Sequence, residues 1–110
     1  MPPRPKPAPL PACPVEHAIQ LIGGKWKMLV LRSLLLNGAQ HYNQLLASVT
    51  GISPKELTRN LRELTDAGLV AARPARDAAY TLTPLGAALL PVFKRLLPWG
   101  RRLMNATKAA

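Results

Sequence analysis

Apolar residues recur along the chain at three- and four-residue spacing, in stretches separated by glycine and proline. Val15, Ala18, Ile19 and Ile22 mark a short helix from Val15 to Ile22 that buries one face, and Gly23 and Gly24 stop it. The pattern resumes from Lys25 to Asn37, with Trp26, Leu29, Val30 and Leu34 on one side and Lys25, Lys27 and Arg32 elsewhere. Gly38 closes that helix as a left-handed cap. A further short helix, Tyr42 to Ser48, is expected to bury Tyr42, Leu45 and Leu46.

The densest cluster of signals is Ser53-Pro54-Lys55-Glu56. Ser53 can cap a helix with its hydroxyl, Pro54 suits the first helical position, where its missing N–H is no loss, and Glu56 completes a capping box. The helix should run about fifteen residues, roughly 22 Å, to Ala67, where Gly68 supplies the stop. At about 100° per residue, Leu57, Leu61 and Leu64 fall within roughly 60° of one another, and Lys55, Arg59 and Arg62 cluster about 160° away. Glu56 and Glu63 sit to one flank. The helix therefore carries a leucine face and, opposite it, a basic face whose middle the acids do not neutralise. Arg59–Glu63 and Arg62–Asp66 also have the i,i+4 spacing of surface ion pairs.

Leu69–Arg73 and Ala79–Leu82 read as two short strands of a basic hairpin. Thr83-Pro84 starts a last helix, spanning about residues 84–106, whose seam of Leu85, Leu89, Val92, Leu96, Trp99 and Leu103 alternates four- and three-residue steps. So regular a seam calls for a partner helix. A second stripe, Leu90, Phe93 and Leu97, widens the apolar surface, and Pro91 and Pro98 are expected to kink the helix. Trp26 and Trp99 read as packing residues of the core or of an interface. Seven of the twelve prolines lie within the first fourteen residues, so residues 1–14 read as an extended arm and 15–110 as one domain.

The 110 residues include 15 Lys and Arg against 5 Asp and Glu, a formal charge of +10 that calls for a polyanionic partner. At 48% hydrophobic residues the chain is too apolar for a disordered basic tail. Charged residues interrupt every run long enough to span a membrane, and the prolines replace the apolar segment of an export signal, so no membrane association and a cytoplasmic location are expected. Cys13, the one cysteine, cannot close an internal disulfide, and no metal site or cofactor is expected from it with His17 and His41. The acids and histidines form no nucleophile–base constellation, which argues against an enzyme.

The elements in order make a mainly α fold, a helix-turn-helix with a small β-hairpin wing, and such a fold places its second motif helix in the DNA major groove. Lys55, Thr58, Arg59 and Arg62 are the candidate groove contacts. Ser53 and Pro54 stand at the helix start, where the first-turn amides can meet phosphate, and Arg73 and Arg76 on the wing can reach a flanking phosphate or minor groove.

These residues also carry a resemblance. Cys13-Pro14-Val15, Ile22-Gly23-Gly24-Lys25-Trp26, Gly51-Ile52-Ser53, Leu57-Thr58, Leu61-Arg62-Glu63-Leu64, Gly68-Leu69-Val70 and Tyr80-Thr81-Leu82-Thr83-Pro84-Leu85-Gly86 together resemble the HxlR-type winged helix-turn-helix transcriptional regulators of bacteria, over Cys13 to about Gly100. The chain departs from that pattern in a shorter wing without a Pro-Pro tip, and in His41 and Gln44, where an Arg and a Glu are common. The resemblance implies a homodimer built from the N- and C-terminal helices, for which Val15, Ile19, Leu89, Val92, Leu96, Trp99 and Leu103 are the interface candidates, bound to a pseudo-palindromic operator on double-stranded DNA. It also implies that Cys13, which matches a sensing cysteine of some relatives, is a candidate redox- or electrophile-responsive thiol, an idea that the start of a helix just beyond it supports. The residues leave open whether a small effector lodges in the dimer. The alternative reading is a basic RNA-binding or ribosome-associated module, against which stands the lack of stacking aromatics on the capped helix. A third is an adaptor that only dimerises.

Overall fold

The computed structural model describes residues 12–72 and 78–109. The Pro-rich arm up to residue 11, and Arg73 and Arg76 on the wing, lie outside the described residues. Among the described residues, six helices, α1 (Pro14–Ile22), α2 (Lys27–Asn37), α3 (Tyr42–Ser48), α4 (Pro54–Asp66), α5 (Pro84–Ala87) and α6 (Leu90–Ala109), accompany three strands, β1 (Gln40–His41), β2 (Val70–Ala72) and β3 (Ala79–Leu82). The strands form one antiparallel sheet in the order β1-β3-β2. Val70 pairs with Leu82 and Ala72 with Tyr80 across the wing, and Gln40 pairs with Tyr80 on the other edge of β3.

The core lies where α2, α3, α4 and the sheet meet: Val30, Leu31 and Leu34 from α2, Leu45 from α3, Leu57, Leu61 and Leu64 from α4, and Leu69 and Val70 at the wing. Trp26, the residue capping α2, closes one end of it. At about 2 kcal/mol or more for each large side chain removed from water, these residues hold the domain together.

The observed elements differ from the periodicity in four places. Helix α2 starts at Lys27, after a bend over residues 24–26 in which Gly24 has φ +96°. Lys25 lies outside the helix, its ammonium 4.6 Å from the centre of the Trp26 ring. The buried side of α2 holds Leu31, while Leu29 is exposed, because the helix is packed against both α4 and β3. The last helix is divided: Leu89 N–H turns back to Gly86 O, and Pro91, which has no N–H to offer Ala87, stands in the first turn of α6 and not within a continuous helix. Pro98 is inside α6. Finally, α1 buries none of its residues within this chain, although an apolar face is there as expected.

Strand β1 has no sequence signal of its own. It is held by a polar circuit around the buried Gln40 and Ser33, in which Gln40 Nε2 donates to Ser33 O (3.1 Å) and Ser33 Oγ (3.0 Å), and the more exposed Ser48 donates its Oγ proton to Gln40 Oε1 (3.1 Å). The two serine hydroxyls lie 2.6 Å apart, so the ring of bonds links α2, β1 and α3 with every member satisfied.

The wing is tied to the last helices at one point of close approach. Thr83 N donates to Leu69 O, Thr83 Oγ1 donates to Gly68 O at 2.6 Å, and the same hydroxyl accepts Gly86 N–H as the cap of α5. A Cβ on Gly86 would stand 2.1 Å from Leu69 O, so no other residue fits there without displacing backbone.

Candidate nucleic-acid interface

Helix α4 starts as its sequence dictates. Ser53 has extended backbone, with φ −83° and ψ 157°, its Oγ accepts Glu56 N–H at 3.2 Å, and Pro54 fills the first turn. The Glu56 carboxylate takes the Ser53 hydroxyl proton at 2.9 Å and the Trp26 indole N–H. Those donors, Ser53 foremost and then Trp26, hold the Glu56 carboxyl below its ordinary range against the opposing effect of burial. Two turns on, Glu63 pairs with Lys27 Nζ at 2.5 Å, and that ammonium likewise keeps its carboxyl low. Both acids are thus drawn back toward the start of α2.

That arrangement decides the electrostatics of the opposite face. Leu57, Leu61 and Leu64 are buried, and Lys55, Thr58, Arg59 and Arg62 are exposed, as the helical rotation required. Among the described residues the ion pair is Lys27–Glu63; Lys27 reaches Glu63 from α2 in place of the i,i+4 partner Arg59, and Arg62–Asp66 does not form either. Three cations therefore project from one surface without a bound acid beside them. Pro54, Lys55, Thr58, Arg59 and Arg62 line a single open depression, and Ser53, half-buried, precedes it in the chain as the cap of α4.

The helical spacing assigns Tyr42 to the core, yet its hydroxyl belongs to this surface. The ring is half-buried, and the hydroxyl donates to Pro54 O (2.9 Å) and lies 3.0 Å from Thr58 Oγ1. Nothing in the spacing of Tyr42 points to that contact, which depends on how α3 crosses α4. Next to it, His41 N–H donates to Gln44 Oε1 at 2.8 Å, so this pair fixes the start of α3.

A second, apolar surface lies on α1, α5 and α6. Val15, Ile19, Val92, Leu96, Trp99 and Leu103 are between 42% and 65% exposed, as are Leu85, Leu90, Leu97 and Met104. Leu89 differs from the other seam residues, since it turns inward with Phe93 against the chain's own core. Cys13, exposed, is the residue capping α1.

Comparison with known proteins agrees with this architecture. The model of the HxlR-like helix-turn-helix family matches residues 21–108. An uncharacterised HTH-type transcriptional regulator of Methanothermobacter thermautotrophicus is 37% identical over 94 residues, covering 81% of this chain and 70% of that protein. YkvN of Bacillus subtilis strain 168, also an uncharacterised HTH-type transcriptional regulator, is 37% identical over 93 residues, covering 81% of this chain and 78% of its own length. Among solved structures, quinone-bound YodB from B. subtilis superposes with a TM-score of 0.74 at 31% identity, covering 82% of this chain and 99% of that one. The redox regulator HypR in its reduced form does so with a TM-score of 0.74 at 27% identity, covering 89% and 100%. No helix among the described residues is long and apolar enough to cross a membrane. With a winged helix-turn-helix built around a capped, outward-facing basic helix, and with relatives that are transcriptional regulators and not enzymes, the chain belongs to the HxlR-like helix-turn-helix family of transcriptional regulators.

Proposed function

We propose that the chain acts as a homodimer on a pseudo-palindromic duplex operator, each protomer inserting α4 into the major groove. The observation that carries this reading is the basic face of α4, exposed while both neighbouring acids are bound on the side of α2. Lys55, Thr58, Arg59 and Arg62 contact base edges or groove phosphates, and Ser53, Pro54 and the first-turn amides meet phosphate at the helix start. Arg73 and Arg76 reach a flanking phosphate or the minor groove. The apolar surface of α1 and α6 is the dimer contact, formed by Val15, Ile19, Val92, Leu96, Trp99 and Leu103, with Leu89 behind it.

Binding of duplex DNA, structured RNA and single-stranded DNA, compared at fixed salt and then over a salt series, tests the proposal. A dimer with three or four phosphate contacts per protomer should prefer duplex DNA and lose affinity with a log–log slope of roughly −5 to −7. Arg59→Ala should cost about 1 to 3 kcal/mol on a selected site and much less on unrelated duplex if Arg59 reads a base. A flat salt response, or a preference for RNA, refutes the reading.

One observation favours a thiol-based control of that activity. Cys13 is exposed at the head of α1, close along the chain to Val15 and Ile19 on the proposed contact surface, and related structures include quinone-bound and diamide-treated YodB and an oxidised HypR. Quinone or mild oxidant should modify Cys13 by mass and change operator affinity, and Cys13→Ser should abolish both effects. Unchanged binding by fully modified protein ends this reading.

A further inference from the structure

Three threonines with hydroxyl partners lie on long helices, and one of them behaves differently. Thr65 and Thr107 return their hydroxyl protons to the carbonyls one turn back, Leu61 O at 2.7 Å and Leu103 O at 2.9 Å. For Thr58 the equivalent carbonyl is Pro54 O, and Tyr42 donates to it at 2.9 Å. Tyr42 carries a single proton and Pro54 O carries none, so at the 3.0 Å contact between the two hydroxyls Thr58 must be the donor and Tyr42 the acceptor. The proton of Thr58 is thereby committed to α3. Thr58 is exposed and lines the depression with Lys55, Arg59 and Arg62, and with its proton turned to Tyr42 the hydroxyl presents no free hydrogen there.

We infer that Thr58 is a thymine-reading residue and that Tyr42 is the positioning residue that makes it one. A phosphate contact needs a donor, which Thr58 lacks. The thymine C5-methyl needs an apolar group in the major groove, which Thr58 supplies. This rests on the reading that α4 enters that groove, and it adds a base preference at one defined position of the helix.

The test begins with selection of a preferred site from a random duplex pool, followed by replacement of each thymine in that site by deoxyuridine, which lacks only the methyl. One thymine per half-site should be sensitive, with a roughly three- to fivefold loss of affinity, the size of one methyl removed from a contact. Thr58→Ser keeps the hydroxyl and drops the methyl, so it should bind the thymine and deoxyuridine sites equally. Thr58→Val keeps a methyl and should retain the discrimination. In Tyr42→Phe the Pro54 carbonyl is released, Thr58 should turn back to it as Thr65 and Thr107 do, and the discrimination should fall toward that of Thr58→Ser. Thermal denaturation confirms that each variant is folded; Thr58 is exposed, and Tyr42→Phe removes one oxygen.

Specific duplex binding in which no thymine methyl matters, or in which Thr58→Ser discriminates as the parent does, overturns the inference and leaves the groove reading intact. Full discrimination by Tyr42→Phe overturns the role given to Tyr42. Absence of salt-dependent duplex binding removes both the inference and the reading beneath it.

Discussion

Trp99 is the residue on which the proposed pairing of two chains is most open to measurement. It is 59% exposed on α6 in the single chain. A buried aromatic side chain covers about 150–250 Å², so burial of the free part against a second copy removes about 90–150 Å² per protomer from water. At about 25 cal/mol per Å² that is about 2 to 4 kcal/mol, counted twice in a twofold dimer. Ordering of side chains takes back part of it, so Trp99→Ala is expected to raise the dimer dissociation constant about a hundred- to a thousandfold. Analytical ultracentrifugation across a wide dilution series reads the change directly. The exposed position makes the experiment clean, because truncation of a side chain outside the core should leave the far-UV circular dichroism of the protomer as it was. Leu36→Ala is the control, since Leu36 is 65% exposed but belongs to α2, which has no part in the proposed α1 and α6 contact. A parent chain that stays monomeric throughout, or a Trp99→Ala dimer as tight as the parent's, would refute the reasoning, and an equal effect of Leu36→Ala would show that exposed area alone does not locate the contact.

Gly86→Ala should lower thermal stability by about 1 to 3 kcal/mol or prevent folding, because its Cβ would press on Leu69 O; calorimetry checks it, and a neutral result would mean the wing and α5 move apart at little cost. Gln40→Leu should cost about 1 to 3 kcal/mol in chemical denaturation by stripping partners from Ser33 and Ser48, whereas the exposed Gln44→Leu should cost less. Acid should also weaken the fold through Glu56 and Glu63. Their carboxyls are held below the ordinary glutamate value, so the stabilisation is present above about pH 4.3 and is lost as pH falls through the lower folded-state values. Melting temperature followed from pH 6 downward should fall less in Glu56→Gln/Glu63→Gln than in the parent; parallel curves would show that these two clamps do not matter to stability.

What can be read from the sequence is what neighbours along the chain determine. Ser53, Pro54 and Glu56 act on one another within a single turn, so the start of α4 and the opposition of its leucine and basic faces are legible in the order of residues alone. Thr83-Pro84 marks the start of α5 for the same reason. Contacts between distant residues leave no such trace. The two residues of β1 are too few to alternate, and only the Gln40 circuit and the free edge of β3 make them a strand. Leu29, expected on the buried side, is exposed, and Leu31 is buried, because burial of α2 is set by two partners at once. The Lys27–Glu63 and Tyr42–Thr58 contacts join helices whose crossing no local spacing encodes, and they decide which cations and which protons the surface of α4 keeps.

Because β3 is the middle strand, with β1 on one side and β2 on the other, and leads through Thr83 straight into α5, the described strands of the wing are tied into the body of the domain. Under the proposed pairing and groove insertion, a change in how two copies seat on each other at α6 has a continuous route of bonded elements, through α5, β3 and β1, to the first turn of α3, whose Tyr42 donates to Pro54 O at the start of α4.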